Sequence, residues 1–379
     1  MAVIEFSLYR FIARLVNPVF VLWLVAAFAS PALAQMTPPN LPMAPMTASA
    51  PAAKTKIALL LPLTGNAAPL GMAMQNAAIM GLFAANNPNL AIVPYDTGGR
   101  ADEAAVAAQK AAAEGATVIL GPLFSAEINA VAGGAPNLPI LSFSNDWTMA
   151  GKNVFIYGMT PQYDVAAIMP YLESRGVRMV HVLYPQNAFG KAVFDTVKSI
   201  SARGAVALAT DGGFNPQNPK SLRAAIEKIK NALPKNQQTE LNRYHAIIIG
   251  ESAPRLNAIN AALVESGIAA SDIPIAGTSQ FADADYSSLP QLLGAVYPAL
   301  DPRATAGFSI RYQSYFGQTP PAMAAMAFDA VGLLAALPDV WRTGQPTAVT
   351  GGMVRFGPNQ IAERKMIVVN SNGGQILQN

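Results

Sequence analysis

Residues 56–81, KIALLLPLTGNAAPLGMAMQNAAIMG, pass from an unbroken apolar run through Thr64-Gly65 to Gly71 and then into a helical pattern. A short apolar run without alternation, closed by turn residues, predicts a strand covered on both faces, as in parallel sheets. It delivers a polar loop onto a helix N-terminus. In open α/β sheets ligands sit beside such loops, at the carboxyl ends of the strands. One stretch therefore predicts both an architecture and the sheet edge that would carry a site.

The same grammar repeats downstream. Strands are predicted at 90–95, 117–120 and 140–143, with helices at 102–114 and 125–131 between them, the first stopping at Gly115. Strands at this spacing, separated by helices, imply parallel βαβ units with right-handed crossovers. A second run follows, with helices at 165–175, 189–202, 221–232 and 255–265 and strands at 178–184, 206–210, 247–249 and 273–276. This predicts two doubly wound α/β domains. Beyond them the alternation breaks: 304–316 and 322–337 read as consecutive helices, and 354–356 with 366–369 as a hairpin around Gly357-Pro358-Asn359-Gln360.

The N-terminus has the form of a secretory leader over 1–34, with Arg10 and Arg14 before an apolar core and Ala32-Leu33-Ala34 as a small-x-small cleavage site. Residues 35–55, rich in Pro, Ala and Met, read as a disordered linker to a folded body beginning at Lys56. No other window is expected to reach membrane-spanning length, so the reading is a soluble protein released into the periplasm, an uncleaved N-terminal anchor being the alternative. There are no cysteines. That excludes disulfides, thiol chemistry and a cysteine-linked lipid anchor. The formal charge of +3, one unit of it from Arg10 and Arg14 against Glu5, comes with no basic block of the kind nucleic acid requires.

Catalytic motifs are missing from the sequence: no G-x-S-x-G elbow, no H-E-x-x-H, no Walker or G-x-G-x-x-G phosphate loop. The two histidines, His181 and His245, lie in or beside predicted strands of the second domain and are read as structural. No cofactor or metal is expected, and an enzyme is the least supported class. Polar residues gather instead at strand ends: Thr64, Ser125 and Ser144-Asn145-Asp146 in the first domain, Asn187, Glu251, Ser252 and Gln280 in the second, with Phe189 beside Asn187. Two such rims facing each other would offer hydroxyls, amides and helix N-terminal N–H groups to a small polar ligand. Helix capping uses the same residue types, so each is open to that role as well. Tyr312, Tyr315 and Phe316, and the Met-rich 323–326 segment, are assigned to packing.

These residues resemble the type I periplasmic binding proteins of the leucine/isoleucine/valine-binding kind across about 56–374. The carriers are ALLLPLTGNAAPLG, VILGPLFSAEINAVA, PILSFSND, NAFGKAVFDTV, FSIRYQSYFGQTPPAMAAMAFDAVGLLA and MVRFGPNQ. PYDTGG, ILGPLFS, SFSNDWTMAG and FIYGMTPQ are similar to one branch in particular, the penicillin-binding-protein activators. The resemblance implies two doubly wound parallel-sheet lobes joined by discontinuous crossovers, one taking 56–162 and 299–342, the other 163–298 and 343–374. It also implies a hinge between them.

Carried over position by position, the resemblance keeps Ser125 as a contact for a ligand carboxylate. It puts Leu70 and Phe189 where the amino-acid binders have tyrosines, Asp146 where they have a threonine, and Arg255 at or near their ammonium-pairing acid. An unpaired buried charge costs several kcal/mol, so these changes argue against an amino acid in the cleft. The branch implies a non-catalytic regulator of peptidoglycan synthesis whose partner is a peptidoglycan synthase. The alternative is the substrate-binding component of an ABC transporter, with a permease and a small polar solute as partners.

Overall fold

The structure, a computed structural model, describes residues 55–234, 243–336, 344–372 and 376–378. The leader over 1–34 and the 35–55 linker, apart from its last residue, lie outside the described residues; Thr55 already opens the first strand.

The first sheet is fully parallel, in the order β2-β1-β3-β4-β5: β1 (Thr55–Leu61), β2 (Leu90–Asp96), β3 (Val118–Leu120), β4 (Ile140–Ser142) and β5 (Val154–Ile156). Successive side chains of a strand face opposite ways. Ile57, Leu59 and Leu61 therefore enter one core with α1 (Ala68–Ala85), while Ala58 and Leu60 enter another with α2 (Ala101–Ala113) and α3 (Ser125–Gly134). Burial on both faces is why the run carries no alternation.

The second sheet has the order β15-β14-β10-β9-β8-β6-β7. Its parallel part is β6 (Met179–Pro185), β7 (Ala207–Phe214), β8 (His245–Ile249), β9 (Ile275–Gly277) and β10 (Val296–Ala299). One face is covered by α4 (Pro161–Ser174) and α5 (Ala188–Ser201), the other by α6 (Pro219–Ala232) and α7 (Leu256–Ser266). Two lobes of parallel sheet are thus present. Then α8 (Pro302–Phe316) and α9 (Ala322–Ala336) return to the first core, where Phe308, Tyr312 and Met326 are at most 1% exposed.

Helix α1 corrects one expectation, since it is long and apolar enough to cross a membrane. It is a core helix, with Met74, Ala77 and Ala78 fully buried beside the side chains of α9.

The C-terminal hairpin also differs from its prediction. β12 (Gly352–Phe356) pairs with β13 (Ala362–Arg364), within a small antiparallel sheet completed by β11 (Thr347–Val349). β14 (Ile367–Asn370) instead joins β10 and β15 (Ile376–Gln378) in the second sheet. The turn closes early: Gly357 N–H donates to Ile361 O at 3.0 Å, and Gln360 has φ 62°, so the return strand starts at Ala362. Val354, Phe356 and Ala362 pack in the first core, although the resemblance places 343–374 in the second lobe. The chain passes between the lobes at 157–160, 299–302 and 364–366. Arg364 ties the third passage to the first, its Nη1 donating to Tyr157 O at 2.6 Å and its guanidinium lying 3.9 Å from the Tyr157 ring centre.

Candidate functional site

The first turn of α1 is held against the end of β1 by shape. A Cβ on Gly71 would fall on Pro62 O, and one on Gly190, at the start of α5, would fall on Pro185 O. Both lobes thus bring a helix start against a strand end through a glycine, and a loop is left at each carboxyl edge.

In the first lobe those loops, with the start of α9, wall a cavity of about 260 Å³ that the second lobe completes with Gln280. Four of the residues singled out in the sequence meet here: Leu70 from α1, Ser125 from the first turn of α3, Asn145 after β4, and Gln280. Phe124, Leu123, Phe143, Met159 and Met323 supply the apolar wall. Met323, read in the sequence as packing, takes part in the site. Its position at the start of α9, facing the same edge as the other loops, is the signal that could have found it. Leu123 and Phe124 stand in the same loop as Ser125, but the sequence points only to its serine.

Among the described residues, none lining this cavity is charged. Its polarity comes from one hydroxyl, two amides and the start of α3, where the N–H groups of Ser125 and Ala126 precede the first helical bonds. Glu127, three residues into that helix, reaches back to Phe124 N–H at 3.0 Å and is fully buried; burial pushes its carboxyl above the ordinary range, against bonds from Thr97 and Phe124.

The other singled-out residues are placed elsewhere. Thr64 is exposed and donates through Oγ1 to Asp96 Oδ2 at 2.7 Å. Asp96 also accepts from the N–H groups of Leu63, Thr64 and Gly98. Burial raises its carboxyl, but these donors outweigh that and hold it below the usual range. Asp96, not singled out in the sequence, is the clamp of the β1–α1 loop. Ser144 is buried and accepts from Asp146 N–H at 3.0 Å, while Asp146 caps the short turn at 147–149 through Thr148 N–H at 3.1 Å and Thr148 Oγ1 at 2.6 Å. Asn187 caps α5, accepting from Gly190 N–H at 2.9 Å, and Phe189 packs on the second-lobe core.

Glu251 and Arg255 line a different cavity, of about 250 Å³, walled entirely by the second lobe between α6 and α7. Glu251 is 3% exposed and accepts from Ser252 N–H and Oγ at 2.8 and 3.1 Å. Arg255 donates to Pro216 O at 2.9 Å. The acid and the base singled out for a ligand therefore do not line the cavity that contains Ser125.

His181 and His245 are paired, His181 Nε2 lying 3.0 Å from His245 Nδ1 and His181 Nδ1 2.8 Å from Thr210 Oγ1. Desolvation, and then the neighbouring imidazole, push His181 down to about 4. No cluster of three metal-ligating side chains occurs among the described residues.

Two parallel-sheet lobes with a cavity walled by both define a solute-binding fold. The chain belongs to the periplasmic binding protein family, whose model matches residues 54–352. That membership implies a periplasmic or otherwise extracytoplasmic location. Among solved structures, the chain is similar to a leucine-binding protein LivK of Thermotoga maritima, at 18% identity and TM-score 0.67, over 86% of this chain and 97% of that one. It is similar to the branched-chain amino acid binding protein LivJ of Streptococcus pneumoniae in complex with isoleucine, at 19% identity and TM-score 0.66, over 86% and 98%. A solute-binding protein of R. palustris in complex with 4-hydroxybenzoate aligns at 13% identity and TM-score 0.68, over 86% and 95%. No curated protein sequence matches it.

Proposed function

We propose that the chain is the solute-binding component of an ABC transporter and that its interlobe cavity takes a small monocarboxylate with an apolar body. The observation that carries this reading is the composition of the cavity: Ser125 and the start of α3 beside Asn145 and Gln280, an apolar wall, and no charged lining residue. A carboxylate is suited to a helix N-terminus. An α-ammonium would have no acid to pair with, because Glu251 and Asp146 are engaged elsewhere, and an unpaired buried charge is costly. Relatives of this fold are in complex with isoleucine in one case and with 4-hydroxybenzoate in another. The cavity favours the second kind of ligand.

Thermal melts of the purified protein with benzoate, 4-hydroxybenzoate, isovalerate, leucine and isoleucine test this. The carboxylates are expected to raise the melting temperature; at a concentration 100 times Kd a ligand adds about 2.7 kcal/mol. Leucine is expected to have little effect, and Ser125→Ala to remove the benzoate shift. A panel without any shift, or a shift with leucine alone, defeats the reading.

A second reading is the non-catalytic regulator of peptidoglycan synthesis, with a peptidoglycan synthase as partner. It is favoured by Leu70 lining the cavity at the position where the resemblance implies a tyrosine, and by Asp146 serving as a cap. Here the panel gives no shift, and the pure protein alters synthase activity when added to the enzyme. Unchanged synthase activity discards it.

A further inference from the structure

A second cavity lies between the lobes, of about 180 Å³. Phe308 and Ala325 wall it from the first core, Tyr297 and Val369 from the second, and Leu300 and Pro302 from the passage at 299–302. The hydroxyl-bearing side chains in its lining are Ser279, Tyr297, Thr305 and Ser309. We infer that this is a regulatory site for a small, uncharged, largely apolar molecule of about one aromatic ring, and that its occupant fixes the relative arrangement of the lobes.

Size and lining set the ligand class. An apolar cavity of about 150 Å³ accommodates benzene, so this one has room for a ring with one small substituent. A hydroxyl on that substituent would meet Ser279, Thr305 or Ser309.

The link to the lobes is geometric. Met159 lines both this cavity and the cleft cavity. At two further places adjacent residues line one cavity each, Ser279 with Gln280 and Ala322 with Met323. Ser279 is itself pinned: its N–H and Oγ donate to Asp164 Oδ2 at 3.1 and 2.9 Å, and Asp164 is 1% exposed. A molecule packed among these groups touches both lobes and one passage between them. It is therefore stabilised to different extents in different arrangements, and that difference is what shifts a population. The regulatory part rests on the proposed solute-binding role; the binding part does not.

Benzyl alcohol is the probe. It is expected to raise the melting temperature of the full chain saturably, equally in wild type and in Ser125→Ala, and not in Ala282→Leu, which fills the cavity from a half-buried position. Should that variant fail to fold, Ala325→Leu fills the cavity from α9 instead. The absence of a saturable shift, or a shift that persists in the filled variants or disappears with Ser125→Ala, overturns the assignment. Because the chain has no cysteine, spin labels placed through Asn129→Cys and Lys191→Cys report the separation of the lobes. Benzyl alcohol is expected to narrow or displace that distribution, and an unchanged distribution overturns the regulatory claim. Failure of every carboxylate in the panel to bind would sink the transport reading and leave both of these readouts standing.

Discussion

Asp164 and His181 are buried ionisable groups whose titrations pull stability in opposite directions. Burial lifts Asp164 to about 7, against its bonds from Ser279, so below that pH the folded chain keeps a proton that the unfolded chain has released. Its contribution is present at low pH and is lost as pH rises from near 4 to 7. His181 is held near 4, so between there and 6.5 the unfolded chain binds the extra proton, and stability is lost as pH falls. A tenfold change in proton affinity corresponds to ~1.4 kcal/mol, so each group is worth at most about 3–4 kcal/mol. Over pH 4 to 6.5 the two slopes oppose. Asp164→Asn keeps an acceptor for Ser279 and removes one titration. Urea melts of that variant are expected to show stability rising more steeply with pH across this window than wild type does; the same pH dependence in both would contradict the Asp164 assignment. Single residues also set the limit of what the sequence discloses about the site. Ser125, Asn145, Gln280 and Leu70 reach one cavity, while Asp146 and Asn187, of the same chemical kinds, turn back on N–H groups two or three residues ahead. Residue type is common to both outcomes. The local turn that decides between them is a backbone property that single-residue chemistry does not encode.

Among the elements, long strands buried on both faces are legible, because β1 carries an unbroken apolar run over 57–61 and β6 is apolar apart from His181. The sequence reading ends β7 at 210, yet the strand continues through Gly212-Gly213 to Phe214. A Cβ on Gly212 would meet Val182 O at 2.7 Å and Ile229 at 3.0 Å, so this glycine serves close packing within the strand. β5 and β10, of 3 and 4 residues, escape the sequence reading and are defined by their neighbours in the sheet. The helix starts carry a prediction of their own. Gly190→Ala forces α5 away from Pro185 O and is expected to cost about 1–3 kcal/mol. Urea unfolding should show a lower midpoint with an unchanged slope; an unaltered midpoint would mean that the helix shifts freely.

For the whole molecule, the three passages between the lobes are not equivalent. The first and third run together: Ile156 N–H donates to Gln360 O at 2.9 Å, Gln360 Nε2 to Lys152 O at 3.1 Å, and Arg364 to Tyr157 O. Arg364→Ala removes the charged hydrogen bond and the ring contact, each typically worth about 1–3 kcal/mol when buried. It is expected to broaden the label-to-label distance distribution between the lobes more than it lowers the melting temperature; a distribution as narrow as wild type would show the tie to be dispensable. While the tie holds, the chain itself joins the two lobes at a double strap and at the single segment 299–302. Two attachments define a line. The chain connections alone would confine any movement of one lobe against the other to rotation about that line, as a door turns on its pins.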